Sequence, residues 1–505
     1  MHIGIDLGTN SSRIARTTWQ GAAALVPDFQ DSTRWVTPSL VFVDSDGALV
    51  GQGVHDLLED QPAAPVFRDL SAAWEHDQPL GQDGAGRAWS AAAITALLLK
   101  KLKRDLEVQS TEPIEGVAIA VAVAASETAR RTVLAAARMA GWHQAKLVEQ
   151  PTAIAAHYGL LGDEAAKTVM VLDTGAGAFR ASVLRWEFGQ LRLLAEFIEP
   201  LAASRELDQA LIRQIAEQFV RQHQFDPRTD PVSRIVLQRR TEALKAKWLS
   251  RPFGTERATF FLGGHVTEFS WLDSDFRAWI EPWLQSATAA AERALNAAGL
   301  AWPQLDHLLM SGELSAVPLI EQAFANRLPR AHEQLRSHQP SLAVACGAAL
   351  WSKMQSTLPQ SGQSQSNAAS KPRASGTLGF HTLNPGTGEL TVDPVIAADT
   401  PLPGSGQRLF RVNRPDQTRL MLELMLVPKG DSAAVSIGHF PVPLSQPISN
   451  PEITVLVDWY DADTITVTAR SPNSPKEFVW TCSPANLDRN DETMTLLMQR
   501  TPLRD

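Results

Sequence analysis

Two segments of this 505-residue chain carry the same local design, and together they restrict the fold more than any other feature. Ile3-Gly4-Ile5-Asp6-Leu7-Gly8-Thr9-Asn10 opens the sequence, and Val171-Leu172-Asp173-Thr174-Gly175-Ala176-Gly177 recurs in its middle. Each is an apolar strand that ends in Asp-x-Gly, passes through small residues and re-enters an apolar stretch. Such a turn gathers backbone N–H groups into an anion-binding nest, and glycine lets the main chain approach a phosphate closely. An aspartate at the strand end can hold Mg²⁺ through water. One copy alone reads equally well as an ordinary glycine-containing hairpin. Two copies, set about half an α/β domain apart, describe duplicated halves closing around a nucleotide. Asp6, Gly8, Thr9, Asn10, Asp173, Gly175 and Gly177 are therefore the expected cofactor contacts, with Asp6 and Asp173 facing the metal.

A third element has the same sense. Leu308 to Glu313 is a strand running into a turn at Gly312, and Pro318 marks the start of the next helix. Residues 1–354 alternate strand and helix patterns, as an α/β domain does. Helices are predicted over Ser90 to Leu106 and Ser126 to Ala140, each with its serine as N-cap, and over Phe276 to Leu295. The composition then changes. Residues 355–376 are mostly Ser, Gln, Ala, Pro and Gly, with Leu358 the only large apolar side chain, and read as a flexible linker. Residues 377–483 read as all-β: Leu420, Leu422, Leu424 and Leu426 share one face of a strand, as do Ile453, Val455 and Val457. Residues 484–505 leave room for one short helix.

Bulk properties exclude several classes. The formal net charge of -9 argues against a nucleic-acid partner, which calls for a basic face. No apolar run is long enough to span a bilayer, and Met1 leads directly into a strand pattern rather than a signal peptide. Cys346 and Cys482 lie far apart and lack metal-ligand spacing, so they read as small buried hydrophobes in a cytoplasmic, reducing setting. Trp19, Trp142, Trp248, Trp351 and Trp459 are expected to pack within strands or helices. Trp279 and Trp283, four apart, share a helix face that suits either core or a partner surface.

The motifs resemble those of the seventy-kilodalton heat-shock chaperones of the DnaK type. The opening Gly4 to Ser12 resembles their first phosphate loop, Gln150 to Gly159 their connecting-helix motif, and Ala343 to Ala349 their final helix. Trp35 to Val41 matches another early segment, Leu378 to Thr382 the start of the substrate domain, and Pro451 to Ala469 its last long hairpin. The order is colinear across nearly the whole chain. The resemblance implies an actin-like (duplicated ribonuclease-H-like) α/β nucleotide-binding domain, followed by an all-β sandwich that binds peptide. It further implies ATP or ADP with Mg²⁺, unfolded or extended polypeptide as client, and co-chaperones as partners. Lys247 would survive from the purine-side helix, and Gly312 from the adenosine loop. Phe380, Thr382, Leu383, Leu420 and Leu422 would line the peptide groove, with Asn413 at one arch. With the sequence ending at Asp505, only a stub of the family's lid is expected.

The departures from the family bear on chemistry. A lysine near the γ-phosphate is replaced by Arg68, and a glutamate of the connecting motif by Gln150, which cannot act as a base. The second phosphate loop continues Ala178-Phe179-Arg180 where the family has Thr, Phe and Asp. A Gly-Gly-Glu segment becomes Ala203-Ser204-Arg205, Leu244 takes a ribose-binding Glu position, and Ala316 a base-stacking Arg position. No catalytic residue is assigned; Arg68, Gln150 and Ala178 are degenerate positions, and ATP binding without efficient hydrolysis is expected. The alternatives are a slow but active ATP-hydrolysing chaperone and a non-enzymatic interaction scaffold. The polar linker lacks the family's acidic, leucine-rich docking segment, so coupling between domains is expected to be weak. The opposite charges of Arg180 and Glu313 suggest an ion pair between two nucleotide loops.

Overall fold

Both Asp-x-Gly segments form antiparallel hairpins, and each hairpin sits at the same place in its own sheet. In a computed structural model, the first sheet holds β1 (His2–Leu7), β2 (Ser11–Thr17), β3 (Ala23–Leu25), β4 (Gly116–Val121) and β5 (Ala145–Glu149), in the order β5-β4-β1-β2-β3. The second holds β6 (Lys167–Thr174), β7 (Phe179–Glu187), β8 (Gln190–Glu199), β9 (His307–Ser311) and β10 (Leu335–Arg336), in the order β8-β7-β6-β9-β10. In each, the first strand pairs antiparallel with the second and parallel with the fourth. The strand order is therefore duplicated, as the paired motifs imply. The structure describes residues 1–75, 79–161, 165–187, 190–250, 255–357, 374, 376–383, 390–398, 400–411, 419–428, 434–444, 452–460, 465–470, 478–482 and 501–504.

Two helices join the sheets. Gln150–His157 and Ala343–Thr357 cross so closely that a Cβ on Gly347 would lie 1.8 Å from the Ala153 carbonyl oxygen. They share a core with Ala118 and Ala120 of the first sheet and Val169, Val171 and Leu309 of the second. The predicted helices form as Ala91–Gln109, Glu127–Met139 and Asp273–Ala297. Ser90 and Ser126 cap the first two, each Oγ accepting a backbone N–H three residues on. Trp283 is buried in the core and Trp279 packs half-buried against it, their indole N–H groups donating to the carbonyls of Ala202 and Leu207. Trp142 and Trp459 are likewise buried. Trp19 is the exception, 91% exposed in the turn after β2, where the chain reverses and has no layer to pack on.

The chain divides into two compact units, Met1–Pro359 with Met498–Asp505, and Gln360–Leu497. The division falls inside the stretch read as a linker, of which 358–373 and 375 lie outside the described residues. In the second unit, Leu390–Ile396, Gly376–Leu383, Arg419–Pro428 and Val435–Pro443 form one antiparallel sheet in that order. Gly404–Arg411, Glu452–Trp459, Ile465–Arg470 and Phe478–Cys482 form the other. The period-two stripes meet in one core holding Leu378, Leu424, Val455 and Val467.

Most of 484–505, expected as a helical stub, lies outside the described residues. Thr501 to Arg504 differ from that expectation and belong with the first unit. Ala48 donates its N–H to the Pro502 carbonyl at 2.8 Å, Arg504 donates back to Ala48 at 2.8 Å, and the Arg504 guanidinium meets Asp44 at 2.8 Å. Extended pairing satisfies main-chain groups that a helix end there would leave open. Both cysteines are free and buried, and burial pushes each thiol up to about 12. Among the described residues no helix is long and apolar enough to cross a membrane.

Candidate functional site

The two Asp-x-Gly turns face each other across one cleft. Asp6, Gly8, Thr9, Asn10, Asp173, Gly175, Gly177 and Gly312 all line it, together with Gln150. The loops are in close apposition: a Cβ on Gly177 would sit 3.0 Å from Thr9 Oγ1. Gly312 adopts φ +88, and a Cβ there would meet Thr174 Oγ1 at 2.4 Å, so only glycine fits that turn. Ala178 is buried behind the second loop.

Two expected residues fall elsewhere. Lys247 points out of the cleft to Glu256, and it is Lys245 that lines the cavity, its Nζ 2.6 Å from Asp208. Two positions on a helix differ by about 200° in direction, so both lysines cannot face one side. Arg68 lines an adjoining cavity with His55, Asp69 and Arg205, reached past the same Thr9 and Ala176 loops. Leu244 belongs to a core shared with Phe260 and Phe269.

Charge in the cleft is arranged in pairs. Asp6 stands directly across the strands from Arg13, and Asp173 directly across from Arg180. Burial pushes the Asp6 carboxyl up to about 6, opposed by Arg13 and reinforced by Asp173. Burial also raises Asp173, against the opposing charges of Arg180 and Arg13. Arg13 Nη2 donates to Glu313 Oε1 at 2.6 Å, so Glu313 pairs with Arg13 and not with Arg180 as its sequence position suggests. The Nε of Arg180 and the Oε1 of Gln150 are buried without hydrogen-bond partners.

A family model described as Hsp70 protein matches residues 69–493. The chain belongs to the Hsp70 family. It is 29% identical over 381 residues to the chaperone protein DnaK of Thermus thermophilus, covering 69% of this chain and 60% of that one. It is 30% identical over 359 residues to the DnaK of Thermotoga neapolitana, covering 69% and 58%. With the DnaK of Halobacterium salinarum it shares 27% over 363 residues, covering 69% and 55%. The chain thus spans about three-fifths of the length of these relatives. Hsp70 membership implies an actin-like ATPase domain and a β-sandwich domain, and the two described units have the corresponding mixed α/β and all-β character.

Hsp70 proteins bind ATP and ADP with Mg²⁺. The residues of this Hsp70-family chain do not fit a resident Mg²⁺ well. Hard divalent cations need oxygen ligands and a negative potential. Here each candidate carboxylate is met across the strand by a guanidinium, and both guanidiniums line the same cavity. A divalent ion between Asp6 and Asp173 would meet two fixed positive charges.

In the β unit, Phe380 is 0% and Leu422 2% exposed, so both are core residues rather than surface groove positions. Their period-two stripe faces the opposite sheet, where burial of each stabilises by about 1.5–3 kcal/mol. Leu420 is partly buried against that core, and Thr382 Oγ1 lies 3.5 Å from the Thr391 carbonyl it donates to. Asn413 and the Leu383 side chain lie outside the described residues. Sequence reasoning missed Arg13, Lys245 and the cleft-lining Ser71 and Trp74. For Arg13 a signal existed: Asp6 and Asp173 are each followed by an arginine seven positions on.

Proposed function

We propose that this Hsp70-family chain binds ATP or ADP in the cleft with little hydrolysis, and holds extended polypeptide on its β unit, the two activities being weakly coupled. The observation that carries the nucleotide reading is the apposition of two Asp-x-Gly turns across one cavity, at equivalent places in duplicated sheets. Backbone N–H groups of the 8–10 and 175–177 turns would hold phosphate, and Gly312 would leave room beside the nucleoside. Impaired hydrolysis is supported by the chemistry at three positions. The Gln150 amide cannot take a proton, Ala178 has no hydroxyl to orient water, and Arg180 places a cation where the family has a carboxylate. Losses of this kind cost about 2–4 kcal/mol of transition-state stabilisation each, without being additive.

Polypeptide binding rests on family membership and on the β-sandwich; co-chaperones enter by the same route. Calorimetric titration with ATP and ADP, beside a phosphate-release assay, tests the first half. Binding without turnover is the expected result, and rapid turnover would refute the reading of Gln150, Ala178 and Arg180. Anisotropy of a labelled extended peptide tests the second half. Leu420→Glu should abolish capture while leaving the melting profile of the first unit unchanged, and unaltered capture would favour a scaffold.

A further inference from the structure

We propose that a nucleoside polyphosphate in this cleft is neutralised by Arg13 and Arg180 instead of by a divalent cation, so that its binding is independent of Mg²⁺. This rests on the nucleotide reading above. The first support is register. Two separate hairpins, one in each sheet, place an arginine directly opposite the aspartate that precedes the glycine turn, and all four side chains line one cavity. A single arginine at such a position could be incidental. The same residue at the same register position in both halves gives the cavity two guanidiniums related by the duplication.

The second support is charge and donor capacity. Two guanidiniums carry the charge of one divalent ion, and each presents a planar fork of N–H donors suited to phosphate oxygens. Lys245 is held by Asp208 at 2.6 Å, whereas the Nε of Arg180 is buried with no partner. Arg13 is held by Glu313, but the two partners are unequal. The Arg13 side chain is 10% exposed and fixed in the cleft wall, while that of Glu313 is 53% exposed. Glu313 can therefore withdraw to solvent when a more highly charged anion reaches Arg13. Asp6 and Asp173 then act as counter-charges that hold the guanidiniums in place.

The test is calorimetric titration of the full chain with ATP, ADP and inorganic triphosphate, each in EDTA and in excess Mg²⁺. Affinity for ATP in EDTA within about threefold of that in Mg²⁺ is expected, and Arg180→Gln should weaken the EDTA value by about tenfold or more. The same variant separates the readings: its loss should persist in excess Mg²⁺ if arginines neutralise the phosphates, whereas full restoration of affinity by Mg²⁺ would show that a metal does. Binding that appears only with Mg²⁺ overturns this inference and leaves the nucleotide reading standing. Failure of both nucleotides to bind in either buffer overturns the two together. Inorganic triphosphate binding as tightly as ATP in EDTA supports the arginine cradle and removes the nucleoside from the reading above.

Discussion

Arg13 and Glu313 lie 300 positions apart in sequence, yet Nη2 of one donates to Oε1 of the other at 2.6 Å, joining the two sheets across the mouth of the cleft. Arg13 comes from the strand after the first glycine turn, and Glu313 from the turn after β9. The contact is a clasp between the duplicated halves, and its strength is limited because Glu313 is half exposed.

A double-mutant cycle of Arg13→Gln and Glu313→Gln should give a coupling of about 0.5–1 kcal/mol in urea denaturation. Glu313→Gln alone should speed hydrogen exchange in the 8–10 and 175–177 turns. Exchange no faster than in the parent chain would show that the pair does not hold the cleft shut.

Restoring the connecting-motif carboxylate alone should achieve little. Gln150→Glu is expected to raise single-turnover phosphate release by less than about tenfold, because positions 178 and 180 still lack their hydroxyl and carboxylate. Gln150→Glu, Ala178→Thr and Arg180→Asp together should raise it by about a hundredfold or more. A large gain from Gln150→Glu by itself would locate the whole defect at that residue.

Lys101 anchors a buried network, its Nζ 2.5 Å from Asp28 and 2.7 Å from Asp105. Burial raises the Asp105 carboxyl, and the Lys101 charge opposes the rise. Lys101→Met would leave two buried carboxylates facing each other and should destabilise the first unit by about 3–5 kcal/mol. The triple change with Asp28→Leu and Asp105→Leu should recover most of that loss, as read from urea midpoints.

Glu423 takes His381 at 3.0 Å and His439 at 3.2 Å, three side chains in a row across neighbouring strands. Burial works to raise its carboxyl, but the hydrogen bond from His381 and the neighbouring histidine charges win, and the net shift is downward from 4.5. A carboxylate held lower in the folded state stabilises above the unfolded value, and that stability is lost as pH falls through the folded value. Exchange protection of Arg419–Pro428 should therefore drop below pH 4.5 in the parent chain. In Glu423→Gln it should be lower at neutral pH and flatter with acid. Parallel pH profiles for the two proteins would exclude the row as the source.

Local chemistry made much of this protein readable from its sequence. Asp-x-Gly followed by small residues can form only a few turns, serine before a helical period caps a helix, and alternating leucines bury one face of a strand. Those rules located both Asp-x-Gly turns, the helices after Ser90 and Ser126, and the core of the β unit. What they could not give was direction and partnership between distant segments. Whether Lys245 or Lys247 enters the cleft depends on how the helix Pro231–Ser250 is rotated against its neighbours, which packing on Leu244 decides. The same leucine period that resembles a peptide groove proved to be core at Phe380 and Leu422, because the opposite sheet covers it. Arg13 finds Glu313 only after the two sheets have closed on the helices Gln150–His157 and Ala343–Thr357. Sequence fixes which groups a turn or strand can present; only the packed sheets, by bringing remote charges within hydrogen-bonding distance, decide which of them meet.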